Sequence, residues 1–150
     1  MHRLEPLARS PSRRLVQHPK CYFFDVGVRN GLVGGFEVSA DRIGLLFEQL
    51  VFSQLAASAA AADLDLQIAS YRTEHGAEVD FVVSLAREVW ALELKASRTV
   101  DARDLRGLRS FAQFFGKRHT PMVLHLGETR RRIEGVEVLP WQEGLRAIGL

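Results

Sequence analysis

Cysteine is nearly absent from the sequence, since Cys21 is the single one among 150 residues. One cysteine excludes an internal disulfide, and neither cysteine nor histidine shows the spacing of zinc ligands. A chain without a disulfide framework is expected in a reducing compartment, so a cytoplasmic setting is predicted.

Long apolar runs and a phosphate-cradling loop are also lacking. The longest apolar run, residues 50–62, is interrupted by Ser53, Gln54 and Ser58. It falls short of the roughly 18 residues that span a bilayer. Residues 1–20 carry arginine and proline without an apolar core, so a secretory signal is not expected. No segment carries the GxxxxGK[ST] pattern, so a phosphate-binding loop of that kind is excluded.

The charge is nearly balanced, with a formal net charge of +2 and a sequence pI near 9.0. The basic residues nevertheless cluster in three places, within residues 1–20, 103–109 and 130–132. Such clusters could contact phosphates, although one cluster alone is more often a solvated face.

The size of the chain bounds its domain organisation. With 47% hydrophobic residues, the chain is long enough for one domain with a single core and too short for two. We expect that domain over residues 21–150. Residues 1–20 hold Pro6, Pro11 and Pro19 and show neither helical nor strand periodicity, so an extended arm or linker remnant is predicted there.

The first half of the chain predicts a strand, a loop and a long helix. "CYFFD" indicates a short buried strand that ends at Asp25, a residue suited to capping a helix or turning the chain. The glycines within residues 30–35 suggest a mobile loop. Asp41 is placed to cap a helix that runs to about Ala62. The predicted apolar face of this helix consists of Leu45, Leu46, Val51, Phe52 and Leu55.

The second half alternates strands with helices. "LQIASYR" and the two halves of residues 78–95 predict three strands. "PMVLHLG" and "IEGVEVLP" predict further strands, and "WQEGLRAIGL" predicts a closing helix or turn. The order helix, three strands, helix, strand predicts an α/β sandwich in which helices flank a central mixed sheet. The second helix is expected to begin at the cap Asp101, to end near Phe115 and to bury Leu105, Leu108, Ala112 and Phe115.

The hairpin within residues 78–95 carries the main chemical signal. If the chain folds back at Ala86 and Arg87, the antiparallel register is fixed. One face of the hairpin is then a core face. That face holds the pairs Phe81–Leu92, Val79–Leu94 and Val83–Trp90.

The other face of the hairpin places Asp80 opposite Glu93 and Glu78 opposite Lys95. Two carboxylates directly across a ladder, with Cβ atoms about 5 Å apart, repel each other. A hard divalent cation such as Mg²⁺, or Mn²⁺, removes that repulsion, because it takes oxygen ligands at about 2.1 Å and keeps several waters. Asp80 and Glu93 are therefore candidate metal ligands.

Lys95 lies on the same face, beyond Glu93. An ammonium there could orient a water nucleophile and offset charge that develops on a phosphate. Together with the two acids it predicts metal-dependent phosphodiester hydrolysis. The structural alternative is an ordinary Glu78–Lys95 salt bridge, with Asp80 and Glu93 turned into water at the edge of a sheet.

This pattern, Asp80 followed by Glu93, Leu94 and Lys95, resembles the signature of the PD-(D/E)XK nuclease superfamily, with Val79 where the name of the superfamily has proline. The resemblance implies a restriction-endonuclease-like fold. It also implies that Glu48 is the helix acid that often completes such sites, as an auxiliary metal ligand or water-orienting residue. Apart from the resemblance, Glu48 has a simpler interpretation, in which its stem lies on an apolar helix face and its carboxylate reaches water.

Four segments also look like the C-terminal domain, of poorly defined function, of prokaryotic AAA-type ATPases. The resemblance extends from about Arg13 to Leu126. The ATPase half is missing from the sequence, so the resemblance does not imply ATP hydrolysis. The segments are "KCYFFDVGVRNGL", "LFEQLVFSQL", "YRTEHGAEVDFVV" and "LELKAS".

Nuclease activity implies a nucleic-acid partner, and DNA is the expected one. Phosphate contacts would make its binding fall steeply with salt. The candidate residues for contacts with the nucleic-acid backbone are Arg72, Arg106, Arg109 and Gln113.

Two other functions remain open at this point. One is a non-catalytic module that keeps the fold in order to dock to an ATPase or another protein, with the apolar tail Leu145–Leu150 as an exposed contact. The other is a simple nucleic-acid binder that uses the basic clusters and not the acids. No feature of the sequence indicates base preference or oligomeric state.

Overall fold

The computed structural model describes residues 2–7, 20–23 and 25–150. The strands in these ranges are β1 (His2–Leu4), β2 (Lys20–Tyr22), β3 (Leu66–Arg72), β4 (Glu78–Leu85), β5 (Glu88–Lys95), β6 (Thr120–His125), β7 (Arg131–Ile133) and β8 (Val136–Pro140). The helices are α1 (Val26–Val33), α2 (Ile43–Ala61), α3 (Arg106–Phe115) and α4 (Trp141–Ile148), and a 3₁₀ turn, Ala102–Leu105, leads into α3.

Six of the strands form one mixed sheet in the order β3-β4-β5-β6-β8-β7. The strands β3, β4 and β5 pair antiparallel, β5, β6 and β8 pair parallel, and β7 closes the far edge antiparallel to β8. Helix α3 makes the crossover between the parallel strands β5 and β6, as such a connection requires. The predicted α/β sandwich with a mixed sheet and flanking helices is confirmed.

The sheet is buried on both faces. Helices α2 and α4 cover one face and form a first core that contains Phe81 and Leu92. Helix α3 covers the other face and forms a second core that contains Val82 and Ala91. Neighbouring residues of the central strands therefore enter different cores, which is why these strands are apolar almost throughout.

An extra residue in β4 breaks the alternation beside the hairpin's open end. Ala69 of β3 pairs with Val82, whereas Tyr71, two residues later, pairs with Val79, three residues earlier. A bulge of this kind leaves one residue unpaired and turns its neighbours. Val79 consequently packs in the second core, although the strict alternation of the hairpin placed it with Phe81.

Helix α2 differs at its start from the sequence prediction. The residue that precedes it is Arg42 and not Asp41, and Arg42 makes no side-chain capping bond to the described residues. Leu45, predicted on the buried face, is 49% exposed, whereas Phe47 and Gln49 are buried. The rest of the predicted face is confirmed, because Leu46, Val51, Phe52 and Leu55 are buried.

By length and composition alone, the 19-residue helix α2 could cross a membrane, with a mean hydropathy of 1.3. Core helices of soluble proteins pass the same test. Leu46, Phe47, Val51, Phe52 and Leu55 are buried against the rest of the chain. Of the apolar window within α2, 39% is buried inside the protein, and the buried side of the helix contributes to the first core.

Helix α1 replaces most of the loop that was predicted from the glycines at 31, 34 and 35. Asp25 caps the helix, as expected, because its Oδ1 accepts a 2.9 Å hydrogen bond from the backbone N–H of Val28. Gly34, at φ 77°, ends the helix in the left-handed conformation that favours glycine. The loop prediction was wrong for residues 30–33, because the cap and the terminating glycine together outweigh Gly31 within the helix.

The second predicted helix is confirmed, and its start is a capping box. Asp101 Oδ1 accepts a hydrogen bond from the backbone of Arg103, and Asp104 Oδ2 accepts one from the backbone of Asp101. Leu105 and Leu108 are buried as expected. Ala112 is exposed, and Phe111 takes the buried position instead.

Helix α4 and the first residues of the chain both pack onto the domain. Leu145, in the tail predicted to be exposed, is only 6% exposed, so that tail does not offer a free contact for a partner. Within the predicted arm, β1 pairs antiparallel with β2, and Leu4 is 3% exposed in the first core. Residues 8–19 of that arm lie outside the described residues.

The outer edge of β3 is partly covered by residues that follow β1. Pro6 forms a parallel bridge to Ser70 of β3. The backbone N–H of Ser70 donates to the carbonyl of Glu5, and the N–H of Leu7 donates to the carbonyl of Ser70. Ser70 stands opposite the bulge in β4.

Candidate functional site

The candidate site lies where β4 begins and β5 ends. The predicted turn at Ala86 and Arg87 is confirmed, and so are the pairs Phe81–Leu92 and Val83–Trp90. The regular register of the described residues stops at Phe81–Leu92. The predicted pair Val79–Leu94 is wrong, because the bulge turns Val79 into the second core while Leu94 packs against the first.

Asp80 occupies the place where regular pairing stops. Its Oδ2 accepts a 2.8 Å hydrogen bond from the backbone N–H of Leu94. The side chain thus satisfies a main-chain donor on β5 that a regular ladder would have paired with a carbonyl. This bond fixes the carboxylate of Asp80 against β5.

Three acids converge on the ammonium of Lys20, and we call this group the Lys20 cluster. Lys20 Nζ lies 2.8 Å from Glu48 Oε1, 2.8 Å from Glu78 Oε1 and 3.7 Å from Asp80 Oδ1. The hydroxyl of Tyr22 also donates a hydrogen bond to Glu48 Oε1. Lys20 and Tyr22 reach the same acid because residues two apart on a strand share a face.

A second group of charges surrounds Lys95. Its Nζ lies 3.0 Å from Glu93 Oε1 and 3.4 Å from Asp104 Oδ1. The alternative of a Glu78–Lys95 salt bridge does not hold, since Glu78 pairs with Lys20 and, at 3.9 Å, with Arg72. The ammonium of Lys95 is therefore held between Glu93 and Asp104, a residue of the 3₁₀ turn.

Glu93 has an unsatisfied oxygen. Its Oε2 is buried and has no hydrogen-bond partner within the residues that the structure describes. Gly107 of α3 closes the site from that side, because a Cβ there would stand 3.4 Å from this oxygen and 1.7 Å from the carbonyl oxygen of Glu78. Only a residue without a side chain allows α3 to approach β4 so closely.

The pKa values of the two central acids are shifted upwards. Burial raises the pKa of Asp80 to about 6, and the negative charge of Glu48 adds to the shift. Burial raises the pKa of Glu93 to about 8, and the charge of Asp80 adds to it. For both carboxylates, burial and the neighbouring negative charges outweigh the nearby ammonium, that of Lys20 for Asp80 and that of Lys95 for Glu93. Such raised pKa values are frequent in functional sites.

Both lysines keep their charge at neutral pH. Burial lowers the pKa of Lys20, but the charges and hydrogen bonds of Glu48 and Glu78 prevail and raise it well above its ordinary value. For Lys95, burial also lowers the pKa, and Glu93 and Asp104 reverse the direction and raise it. Burial and the charge of Glu48 raise the pKa of Tyr22, so its hydroxyl stays protonated.

The acids have the donor chemistry for a divalent ion, although they do not form a preassembled cage. No group of three or more His, Cys, Asp or Glu side chains in the described ranges is arranged to hold a metal ion. Asp80 and Glu93 nevertheless supply carboxylate oxygens, the ligands that Mg²⁺ and Mn²⁺ prefer, and one of these oxygens is unpartnered. Glu48 is held by Lys20 and Tyr22, so its role as a third ligand stays a prediction.

The four residues proposed to touch nucleic acid lie at the edge of the site and along α3. Arg72 lies beside Glu78, at the edge of the site. Arg106 donates to the carbonyl of His75 at 2.9 Å. Arg109 pairs with Glu134 and donates to the carbonyl of Ala102, and Gln113 is exposed one turn further along α3.

Sequence reasoning missed Lys20, Tyr22, Asp104 and Gly107 as parts of the site. The spacing of Lys20 and Tyr22 in "KCY" places both on one face of a strand, which was a usable signal. Asp104 could have been found as the capping-box partner of Asp101. Nothing in the sequence around Gly107 indicates the close approach of α3 to β4.

Comparison with known families agrees with the second of the two resemblances, that to the C-terminal domain of AAA-type ATPases. The family model described as "Domain of unknown function (DUF4143)" matches residues 43–143, and this domain is common in the C-terminal regions of AAA-type ATPases. Neither the comparison with curated proteins nor that with solved structures gave a significant match. The matched range spans α2, the hairpin, α3 and the strands that follow, and the chain therefore belongs to the DUF4143 family.

Proposed function

We propose that this chain is a metal-dependent, nuclease-like domain that hydrolyses phosphodiester bonds of nucleic acid, with DNA as the expected substrate. The observation that supports it most is the juxtaposition of two largely buried acids, Asp80 and Glu93, with raised pKa values beside the ammonium of Lys95. A purely structural sheet edge gains nothing from two such carboxylates, because the removal of each charge from water is costly and the two charges repel each other.

In this proposal Asp80 and Glu93 would hold the divalent ion. When bound, Mg²⁺ or Mn²⁺ supplies Lewis-acid polarisation of a phosphate oxygen. The hydrogen bond from Leu94 holds Asp80 in place, and the buried Oε2 of Glu93 is the oxygen still lacking a partner.

Lys95 would act on the substrate. Its ammonium remains charged at neutral pH, and Glu93 and Asp104 fix its position. A positive charge fixed in advance stabilises negative charge that develops on a phosphate without reorganisation during the reaction. Glu48 would have a supporting role, through the Lys20 cluster.

The test is a cleavage assay on plasmid, single-stranded DNA and RNA with Mg²⁺ or Mn²⁺, and then with chelator. The variants are Glu93→Gln and Lys95→Met, with Glu88→Gln as a control on the exposed opposite end of β5. We expect cutting by the parent chain and by Glu88→Gln, and a loss of about 100-fold or more in each site variant. Cutting that persists in chelator, or in Glu93→Gln, would refute the proposal.

A non-catalytic module that docks to an AAA-type ATPase is the second candidate. Two observations favour it: Lys20 already neutralises part of the acidic site, and the segment from α1 to α2 leaves large apolar side chains in water. Leu32 and Phe36 are each 71% exposed. This candidate predicts an intact fold, no cutting with Mn²⁺, and binding to a purified ATPase that is lost in Leu32→Ser and Phe36→Ser.

A further inference from the structure

Lys20 sits where a cation is expected to sit in an acidic site. Its ammonium is in direct contact with Glu48 and Glu78, while Asp80 lies 3.7 Å away. The ammonium thus belongs to the half of the site formed by Glu48 and Glu78. The other half consists of Asp80 and Glu93. Its positive charge is the ammonium of Lys95, which contacts Glu93.

Three of the four carboxylate oxygens of the Glu48–Glu78 half are already engaged. Glu48 Oε1 accepts from both Lys20 and Tyr22. Glu78 contacts Lys20 through one oxygen and Arg72 through the other. A divalent ion that entered this half would have to displace an ammonium from a partly buried position, and the freed ammonium would then face the ion's charge.

The balance of charge at the site also favours a single divalent ion. The acids of the two groups are Glu48, Glu78, Asp80, Glu93 and Asp104, and the ammonium groups among them are Lys20 and Lys95. With these ammonium groups and the guanidinium of Arg72 beside Glu78, one divalent ion balances the five carboxylates when all are ionised, whereas a second ion would leave an excess of two positive charges. Without Lys20, the second ion would leave an excess of only one.

We propose that Lys20 is a specificity-determining residue that occupies the Glu48–Glu78 half of the site and so limits the chain to one divalent ion, at Asp80 and Glu93. The inference rests on the proposed function in taking Asp80 and Glu93 as metal ligands. It adds that the nuclease-like chemistry would use a single ion, and that Glu48 supports the Lys20 ammonium and does not bind metal in the parent chain.

The experiment counts bound Mn²⁺ by calorimetry and by electron paramagnetic resonance of the free ion, on the full chain. The informative variants are Lys20→Met, which removes the ammonium and keeps the stem, and Lys20→Arg, which keeps the charge. The double variant Lys20→Met/Glu48→Gln removes the ammonium and one acid together. Lys117→Met, at an exposed lysine, is the control, and circular dichroism verifies the fold of each protein.

We expect one Mn²⁺ per chain for the parent, Lys20→Arg and Lys117→Met. Lys20→Met should take up a second ion, with an affinity at least about tenfold above any second binding in the parent, a gain of about 1.4 kcal/mol. The double variant should return to one ion. A Lys20→Met protein that folds only when Mn²⁺ is present would also support the inference, since the ion then replaces the missing ammonium.

The outcomes separate this inference from the proposed function. If the parent binds one ion and Lys20→Met binds the same number with the same affinity, the inference is wrong and the metal site of the proposed function stands. If the parent binds no ion and Lys20→Met binds one, the inference is also wrong. Lys20 would then exclude the only ion, and Asp80 and Glu93 would not bind metal in the parent. Two ions in the parent, or none in both proteins, would overturn the inference. If Lys20→Met does not fold with Mn²⁺, the same titration on Lys20→Gln, which keeps a hydrogen-bond donor, decides.

Discussion

The backbone N–H of Leu94 donates a 2.8 Å hydrogen bond to Oδ2 of Asp80, the residue next to the last regular pair of the hairpin, Phe81–Leu92. The side chain of one strand therefore takes over a bond that the main chain would otherwise make. This substitution is possible because the bulge in β4 gives that strand one residue more than β3 needs. Asp80, which ends the regular ladder, therefore also lies in the candidate site.

Two replacements of Asp80 should distinguish the contribution of its hydrogen bond to stability from the contribution of its charge. Asp80→Asn keeps an oxygen that can accept from Leu94 and removes a charge that burial disfavours. Asp80→Ala loses the acceptor and leaves a buried N–H unsatisfied. In urea unfolding at pH 8, we expect the alanine variant to be less stable than the asparagine variant by about 1–2 kcal/mol. Equal stabilities would mean that the bond to Leu94 contributes nothing.

Stability should fall as the pH rises through the neutral range. In the folded chain the pKa of Glu93 is raised from 4.5 to about 8, so the folded state holds a proton that the unfolded state has lost. The contribution of the Glu93 proton to the free energy of unfolding is complete below about pH 4.5 and disappears as the pH passes 8. Asp80 adds a further loss of stability between pH 3.8 and about 6.

Glu93→Gln should flatten this dependence above pH 6. The slope of the free energy of unfolding for one proton is at most about 1.4 kcal/mol per pH unit. Urea unfolding at intervals from pH 6 to 9, without divalent ions, measures it for both proteins. Parallel curves for the parent and Glu93→Gln would contradict a raised pKa at this residue.

Gly107→Ala should disrupt the contact between α3 and β4. The added Cβ would lie 1.7 Å from the carbonyl oxygen of Glu78, so the helix must move away from the sheet. We expect a loss of about 1–3 kcal/mol in the free energy of unfolding. Gly44→Ala is the matched control, because it also lies in a helix and its Cβ would meet nothing within 4 Å. That control should be neutral or more stable, by up to about 1 kcal/mol.

Arg72 and Arg109 should differ in their effect on nucleic-acid binding. Arg72 stands at the edge of the candidate site, whereas Arg109 is engaged by Glu134 and the carbonyl of Ala102. Arg72→Ala should weaken binding of duplex DNA and lower the slope of log affinity against log salt by about 1. Arg109→Ala should leave that slope unchanged. Fluorescence anisotropy at several salt concentrations measures this slope for both variants. A lower slope in Arg109→Ala than in Arg72→Ala would place the nucleic-acid interface near Arg109 and not near Arg72.

The parts of the fold that could be predicted from the sequence are those set by local chemistry. The turn at Ala86 and Arg87 fixes the register up to Phe81–Leu92, because an antiparallel hairpin leaves no other choice once its turn is placed. Asp101 marks the start of its helix because a carboxylate there satisfies free backbone donors. The acids Asp80 and Glu93 could be singled out for the same reason, from the repulsion that the hairpin implies.

The parts that could not be predicted depend on distant contacts. The bulge at Asp80 follows from how β4 fits against β3, and alternation within β4 alone does not indicate it. Lys20 reaches Glu48, 28 residues away, and Glu78, further still, only once β2 has packed against α2. The sequence around the acids therefore does not indicate the ammonium of Lys20. This is why a metal ion was the only cation expected at the site.

The bridge between Pro6 and Ser70 has a consequence for solubility. An edge strand with free main-chain donors and acceptors invites pairing with another copy of the chain. Residues 5–7 block that pairing at the middle of β3, and a proline at the bridge offers no N–H to extend the ladder outward. Proteins shortened to begin after Leu7 should therefore aggregate through this edge, even at low ionic strength, where repulsion between their surface charges is not screened.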